Sequence, residues 1–208
     1  EVDAHPGKVH KNRSRRVSER GWDRLGVCPD GLELRRKMAE EVPLAGSYNT
    51  LALIYDDLGR YEDAPLLSAK AIAYCRRAAE KRQLGLSLRQ MAESLRHVAE
   101  RLRTRQRAAG SADSLLDAAE ELLNEARNIF YELGEVERQV EVNIEFGSLL
   151  RDRLDIAAQD ADKARAERVR RLYNSEALSL LDIAERDARE AGLWQHVLDA
   201  QVNQARVH

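Results

Sequence analysis

Apolar residues in the second half of the chain recur three and four positions apart, the spacing that gathers side chains on one face of an α-helix. Met91, Leu95, Val98 and Leu102 share one such face, and Leu115, Leu122, Ile129 and Leu133 another. The alternation that marks a half-buried strand is almost absent. Proline, which breaks helix interiors, occurs only at positions 6, 29, 43 and 65. Everything beyond Pro65 can therefore form long helices. The pattern predicts helices near 83–106, 113–133, 135–156, 162–191 and 193–206. An earlier helix is expected near 30–40, started by Asp30, whose carboxylate can cap it, and residues 13–26 are expected to form one more. Arg107–Ser114 carries a Gly and helix-cap residues and reads as a turn, while the Ala-rich, charged stretch Asp155–Arg165 reads as largely helical.

Small residues keep a register within this pattern. One sits near the middle of each expected first helix: Ala52, Ala92, Gly147 and Ala205. A pair seven apart sits in each second helix: Ala64/Ala71, Ala119/Ala126 and Ala177/Ala184. The step from Ala71 to Ala92, from Ala126 to Gly147 and from Ala184 to Ala205 is 21 residues each time. Equal steps mark helix pairs joined in the same way. Within a pair the spacing grows from 12 to 27 to 30 residues, which lengthens the later helices and turns. Gly134 and Gly192 each follow one helix just before the next begins, where a left-handed residue suits the helix end. Ala and Gly let two helix axes approach closely, and Leu51, Tyr55, Met91, Leu95, Phe146 and Leu150 fill the space around them. Each pair leaves an apolar face that only the next pair can bury.

The expected fold is all-α, a superhelical stack of antiparallel helix hairpins, or α-solenoid. Residues 1–29 form a basic N-terminal segment, partly helical or loose. Residues 30–208 form the repeat domain, with pairs at about 45–81, 83–133 and 135–191 and a capping or truncated helix at 193–208. The register is cut within a fourth pair at His208, so the array is expected to continue, and a start at Glu1 instead of Met fits a fragment or processed product.

Composition supports helices with large solvated faces: 34% of residues are charged, 43% hydrophobic and only 5% aromatic. The formal net charge of −2 argues against a dedicated nucleic-acid binder, which carries a basic surplus. Residues 1–24 are locally basic, through Lys8, Lys11, Arg13, Arg15, Arg16, Arg20 and Arg24. They read as a solvated terminal segment, with contact to nucleic acid or anionic lipid as the alternative. Cys28 and Cys75 form no CxxC pair and have no His at ligand spacing, so they read as reduced thiols in a cytoplasmic protein. No apolar run approaches the ~18 residues of a membrane helix.

Residues 48–74, YNTLALIYDDLGRYEDAPLLSAKAIAY, carry the most regular unit. They resemble one repeat of the tetratricopeptide (TPR) family. Tyr48 takes the place of the large aromatic, Leu51 and Ala52 the Leu-small pair, and Tyr55 the aromatic one turn later. Gly59 stands at the turn, Tyr61 opens the second helix, and Ala64 and Ala71 are its small contacts. The sequence departs from the pattern at Ser68, where a large aromatic is usual, and at Pro65, which a first helical turn tolerates. The later pairs keep the small residues and lose the aromatics. The resemblance implies a right-handed superhelix and a protein-interaction module. Long irregular arrays of this kind are similar to the sensor regions of bacterial STAND signalling ATPases, which release an attached nucleotide-binding switch on sensing a partner. This chain has no Gly-x-x-x-x-Gly-Lys-Ser/Thr sequence of its own.

The chain shows no catalytic signature. His5, His10, His97, His196 and His208 include no i, i+4 pair with a third ligand nearby, and no nucleophile elbow or Cys/His cluster is present. No enzyme activity, cofactor or metal is expected. Trp194 follows the Gly192 turn and is expected to pack at the start of the last helix, or to stand exposed if a further repeat is missing. The expected ligand is a protein or peptide in the concave groove, lined by the first helix of each pair on the side away from the packing face. The candidates are Asn49, Leu53 and Asp56 from the first pair; Arg89, Gln90, Glu93, Arg96 and His97 from the second; and Glu141, Glu145, Ser148 and Asp152 from the third. The second pair is locally basic and continues through Arg101, Arg103 and Arg105, which suggests docking of an acidic peptide. The alternative function is a regulatory subunit that contacts nucleic acid through the N-terminal segment.

Overall fold

Seven helices account for nearly all of residues 41–104, 109–158 and 163–207, the residues described in a computed structural model of the chain. They are α1 (Glu41–Asp57), α2 (Ala64–Ala78), α3 (Lys81–Thr104), α4 (Ala109–Leu133), α5 (Val136–Ala157), α6 (Lys163–Glu190) and α7 (Trp194–Val207). The five helices expected from residue 83 onward all form, with ends within a few residues of the periodicity. The exception is the turn expected at Arg107–Ser114, because α4 already begins at Ala109. The helices expected at 13–26 and 30–40 lie outside the described residues.

Consecutive helices pair as α1 with α2, α3 with α4 and α5 with α6, and α7 packs on both α6 and α5. The small residues sit at these crossings as their spacing requires. Ala52, Ala64, Ala71, Ala92, Ala119, Ala126, Ala177 and Ala184 are fully buried. At Gly147 a Cβ would lie 2.6 Å from the Leu181 side chain across the α5–α6 crossing. The Leu181 side chain fills the space a methyl group would need, which explains glycine in the middle of a helix. The main core gathers Leu88, Leu95, Leu123, Phe130, Phe146, Leu149 and Leu181 from α3, α4, α5 and α6. Such a core runs through the stack, so each pair completes its neighbour.

The hairpin ends follow the glycines. Gly134 and Gly192 have φ of +66° and +72°, the left-handed conformation that stops a helix at little steric cost. The register fails at one place. Ala205, expected at a crossing, is exposed, and Ala200 is the small residue that α7 buries against Ala184 and Ala188 of α6. Ala205 lies on the outer face of α7, which no described element covers. For the same reason Trp194 is not packed: it is 68% exposed, in line with Leu198 and Val202 on the outer face of α7. Cys75 is buried with its sulfur 3.8 Å from the Ser87 hydroxyl, and burial pushes its thiol above the usual range.

Candidate functional site

The first helices of the pairs, α1, α3, α5 and α7, stand side by side and touch in sequence. Most of the residues expected to line an open groove lie in the seams between them. Asn49 of α1 donates from Nδ2 to the Ser87 hydroxyl of α3 at 2.7 Å. Asp56 accepts from Ser94 at 2.6 Å and from Gln90 at 3.2 Å. Arg96 of α3 donates from Nε to Asp152 of α5 at 2.9 Å and pairs through Nη1 with Glu145. Arg89 faces Glu141 at 3.5 Å. Ser148 donates to Asn203 of α7, which also accepts from Arg151, each at 3.1 Å.

This corrects the expected groove. Asn49, Asp56, Gln90, Arg96 and Ser148 are buried, not solvent-lining. Polar side chains facing a neighbouring helix satisfy one another in part, which lowers the cost of burying them, although Asn49 Oδ1 and Asp56 Oδ1 stay buried without a hydrogen bond. Leu53 is exposed as expected, at 45%. Glu93, His97, Arg89, Glu141, Glu145 and Asp152 remain partly open to solvent. The basic stripe of the second pair is already engaged. Arg96 and Arg89 pair with acids of α5, Arg101 donates to the Gly59 carbonyl at 2.8 Å, and Arg103 binds Glu100. Arg105 lies outside the described residues. Cations held this way leave little positive field for an acidic peptide.

The electrostatics of the seam follow from this packing. Burial opposes the charge on Arg96, but Glu145 and Asp152 outweigh it and hold the guanidinium above its ordinary value. Glu93 is raised by its burial and by repulsion from Glu145. Asp56, 3.9 Å away, raises His97 against the opposing effect of burial. Both shifts mean that the folded chain holds protons more tightly than the unfolded one. The stability His97 contributes is complete below its ordinary 6.5 and is lost as pH rises through the raised value. The penalty from Glu93 sets in as pH rises above its ordinary 4.5. Glu93→Gln is therefore expected to raise the thermal midpoint at pH 7.5 and to flatten its fall between pH 5 and 7.5, as checked by melts of both proteins across that range.

The sequence reading missed Ser87, Ser94, Arg151 and Asn203. The signal available was two serines seven apart on the same face of an otherwise amphipathic helix. On the opposite side of the array a cleft of about 460 Å³ separates α4 from α6, floored by Phe146 and rimmed by Glu120, Arg127 and Leu172. Arg127 lies over the Phe146 ring at 4.9 Å. No described helix is long and apolar enough to cross a membrane.

An all-helical stack of hairpins, with a main core shared by successive pairs, defines the class of helical repeat proteins. The chain is similar to a solved structure, the crystal structure of the de novo designed helical repeat protein DHR81, with a TM-score of 0.53 and 20% identity over 93% of this chain and 91% of that one. This likeness shows the fold alone. No protein-family model matches the sequence. No curated protein matches it either.

Proposed function

We propose that the chain is a non-catalytic protein-binding scaffold that takes a partner segment along the inner row of α1, α3 and α5. The observation that carries this reading is the division of labour on that row. Buried pairs such as Arg96 with Glu145 fix the helices, while Leu53, Glu93 and His97 stay accessible beside them. A surface held rigid by packing loses little freedom on binding. Leu53 offers an apolar anchor, and Glu93, its charge disfavoured by burial and by Glu145, offers a place for a cation. The fitting partner is an extended segment with an apolar residue near a Lys or Arg.

A fluorescence-anisotropy screen of such peptides tests this. Peptides that bind are expected to lose at least ~10-fold in affinity with Leu53→Glu, the cost of about 1.4 kcal/mol. They are expected to be indifferent to Leu172→Glu on the opposite face. Loss on Leu172→Glu with Leu53→Glu silent would overturn the assignment of the face.

A sharper form of the proposal makes the array the sensor end of a larger signalling protein of the STAND type. The TPR-like unit at 48–74 and the lengthening of the later helices support it; α3 to α6 run 22 to 28 residues against 17 and 15 in the first pair. The gene sequence on either side of the chain tests this: a nucleotide-binding domain encoded there supports the sensor reading, and none overturns it.

A further inference from the structure

At the end of the inner row, the first two turns of α5 and the first turn of α7 bring together Glu137, Glu141 and His196. The two glutamates are four residues apart and so share a helix face. His196 Nε2 lies 3.8 Å from Glu137 Oε1 and 3.8 Å from Glu141 Oε1. These separations are too long for hydrogen bonds. Each is less than the sum of two bonds of about 2.0–2.2 Å from a zinc ion to imidazole nitrogen and carboxylate oxygen. Closing to the roughly 3.3 Å that tetrahedral ligand atoms keep at such bonds asks about half an ångström of each pair. Glu137, with a half-exposed side chain, can close its own pair, and a shift of the His196 ring can close the pair with Glu141.

A second feature points the same way. His196 Nδ1 faces Asp199 Oδ2 at 3.7 Å, also beyond hydrogen-bond length, and a small rotation of the ring towards the metal position would close that contact. Metal-binding histidines characteristically donate their other ring N–H to a carboxylate, which fixes the tautomer that presents the free nitrogen to the metal. Cationic neighbours are also present. Arg138 donates to Glu141 Oε1 and lies 3.9 Å from Glu137, and Arg89 lies 3.5 Å from Glu141 Oε2. Arg138 sits at the rim with a side chain 25% exposed, so it can swing to solvent while Arg89 keeps the second oxygen.

We propose that Glu137, Glu141 and His196 form a divalent transition-metal site, oriented by Asp199, that clamps α7 to α5. One imidazole with two carboxylates suits an ion of intermediate softness such as Zn²⁺. Three protein ligands leave a fourth position for water. Because the ligands come from two helices, the ion ties the last helix to the array.

The test is calorimetric titration with Zn²⁺ of the full chain freed of metal by chelator, in a background where His5, His10, His208 and Cys28 are alanine. One equivalent is expected to bind and to raise the melting temperature, since an ion that binds only the folded chain stabilises it. His196→Ala and Glu137→Gln are each expected to weaken binding by ~10-fold or more, and Asp199→Asn by a similar factor. Glu137 is exposed enough that its substitution leaves the fold intact. Glu121→Gln, exposed on α4 and remote from the site, is expected to leave the titration unchanged. Absence of saturable binding, or binding that survives both His196→Ala and Glu137→Gln, overturns the site.

Discussion

Arg96→Ala is expected to destabilise the chain by about 3–5 kcal/mol, the cost of leaving buried acids without their cation. Arg96 is, with Asp56, among the most enclosed charges in the row, its side chain 8% exposed, and it holds two acids of the next repeat, Glu145 and Asp152, each 16% exposed. Removing the guanidinium leaves Glu145 beside Glu93, which it already raises, and leaves Asp152 with Arg151 alone. The loss falls on the seam between α3 and α5. Urea unfolding at pH 7.5 measures it. The triple change of Arg96, Glu145 and Asp152 to Met, Leu and Leu is expected to cost far less, because a buried ion pair adds little over apolar residues of similar volume. If Arg96→Ala alone cost under about 1 kcal/mol, the seam would behave as a solvated surface.

Phe130→Ala carries an expected loss of similar size, about 3–5 kcal/mol, from transfer plus the cavity left behind. Phe130 is fully buried in α4 and its ring fills the space above Gly85 of α3, where an added Cβ would meet the ring at 2.7 Å. Glycine and phenylalanine here act as one packing unit. Gly85→Ala alone is therefore expected to destabilise by about 1–3 kcal/mol through overpacking. In the Phe130→Ala background the same change is expected to be neutral or stabilising, since the ring is gone and alanine favours the helix by roughly 0.5–1 kcal/mol over glycine. Four denaturation curves give the coupling. Additive effects would contradict this contact, because only residues that touch couple strongly.

The architecture was legible because its requirements fall on single residues. A helix crossing demands a small side chain whatever else is near, and six alanines in three second helices report it; all six are buried. Glycine after Leu133 and after Ala191 marks helix ends for an equally local reason. The binding face was less legible. Asp56, Gln90 and Arg96 read as solvated because charge on an amphipathic helix usually is. Their partners lie far along the chain: Arg96 and Glu145 are 49 residues apart, and Asp56 and Gln90 34. Periodicity places a residue on a face but does not say which neighbouring helix covers it. Ala205 and Trp194 show the same limit, since whether a helix face is buried depends on what packs against it. His196 read as no ligand in the sequence because Glu137 and Glu141 belong to another helix, more than fifty positions earlier.

Hydrogen exchange on the chain with and without a bound basic-apolar peptide tests the central claim most directly. The expected footprint is slowed exchange in the segments of α1 and α3 that carry Leu53, Glu93 and His97, with the α4 and α6 segments around Leu172 unchanged. Protection confined to α4 and α6 would contradict the account and place binding in the outer cleft over Phe146.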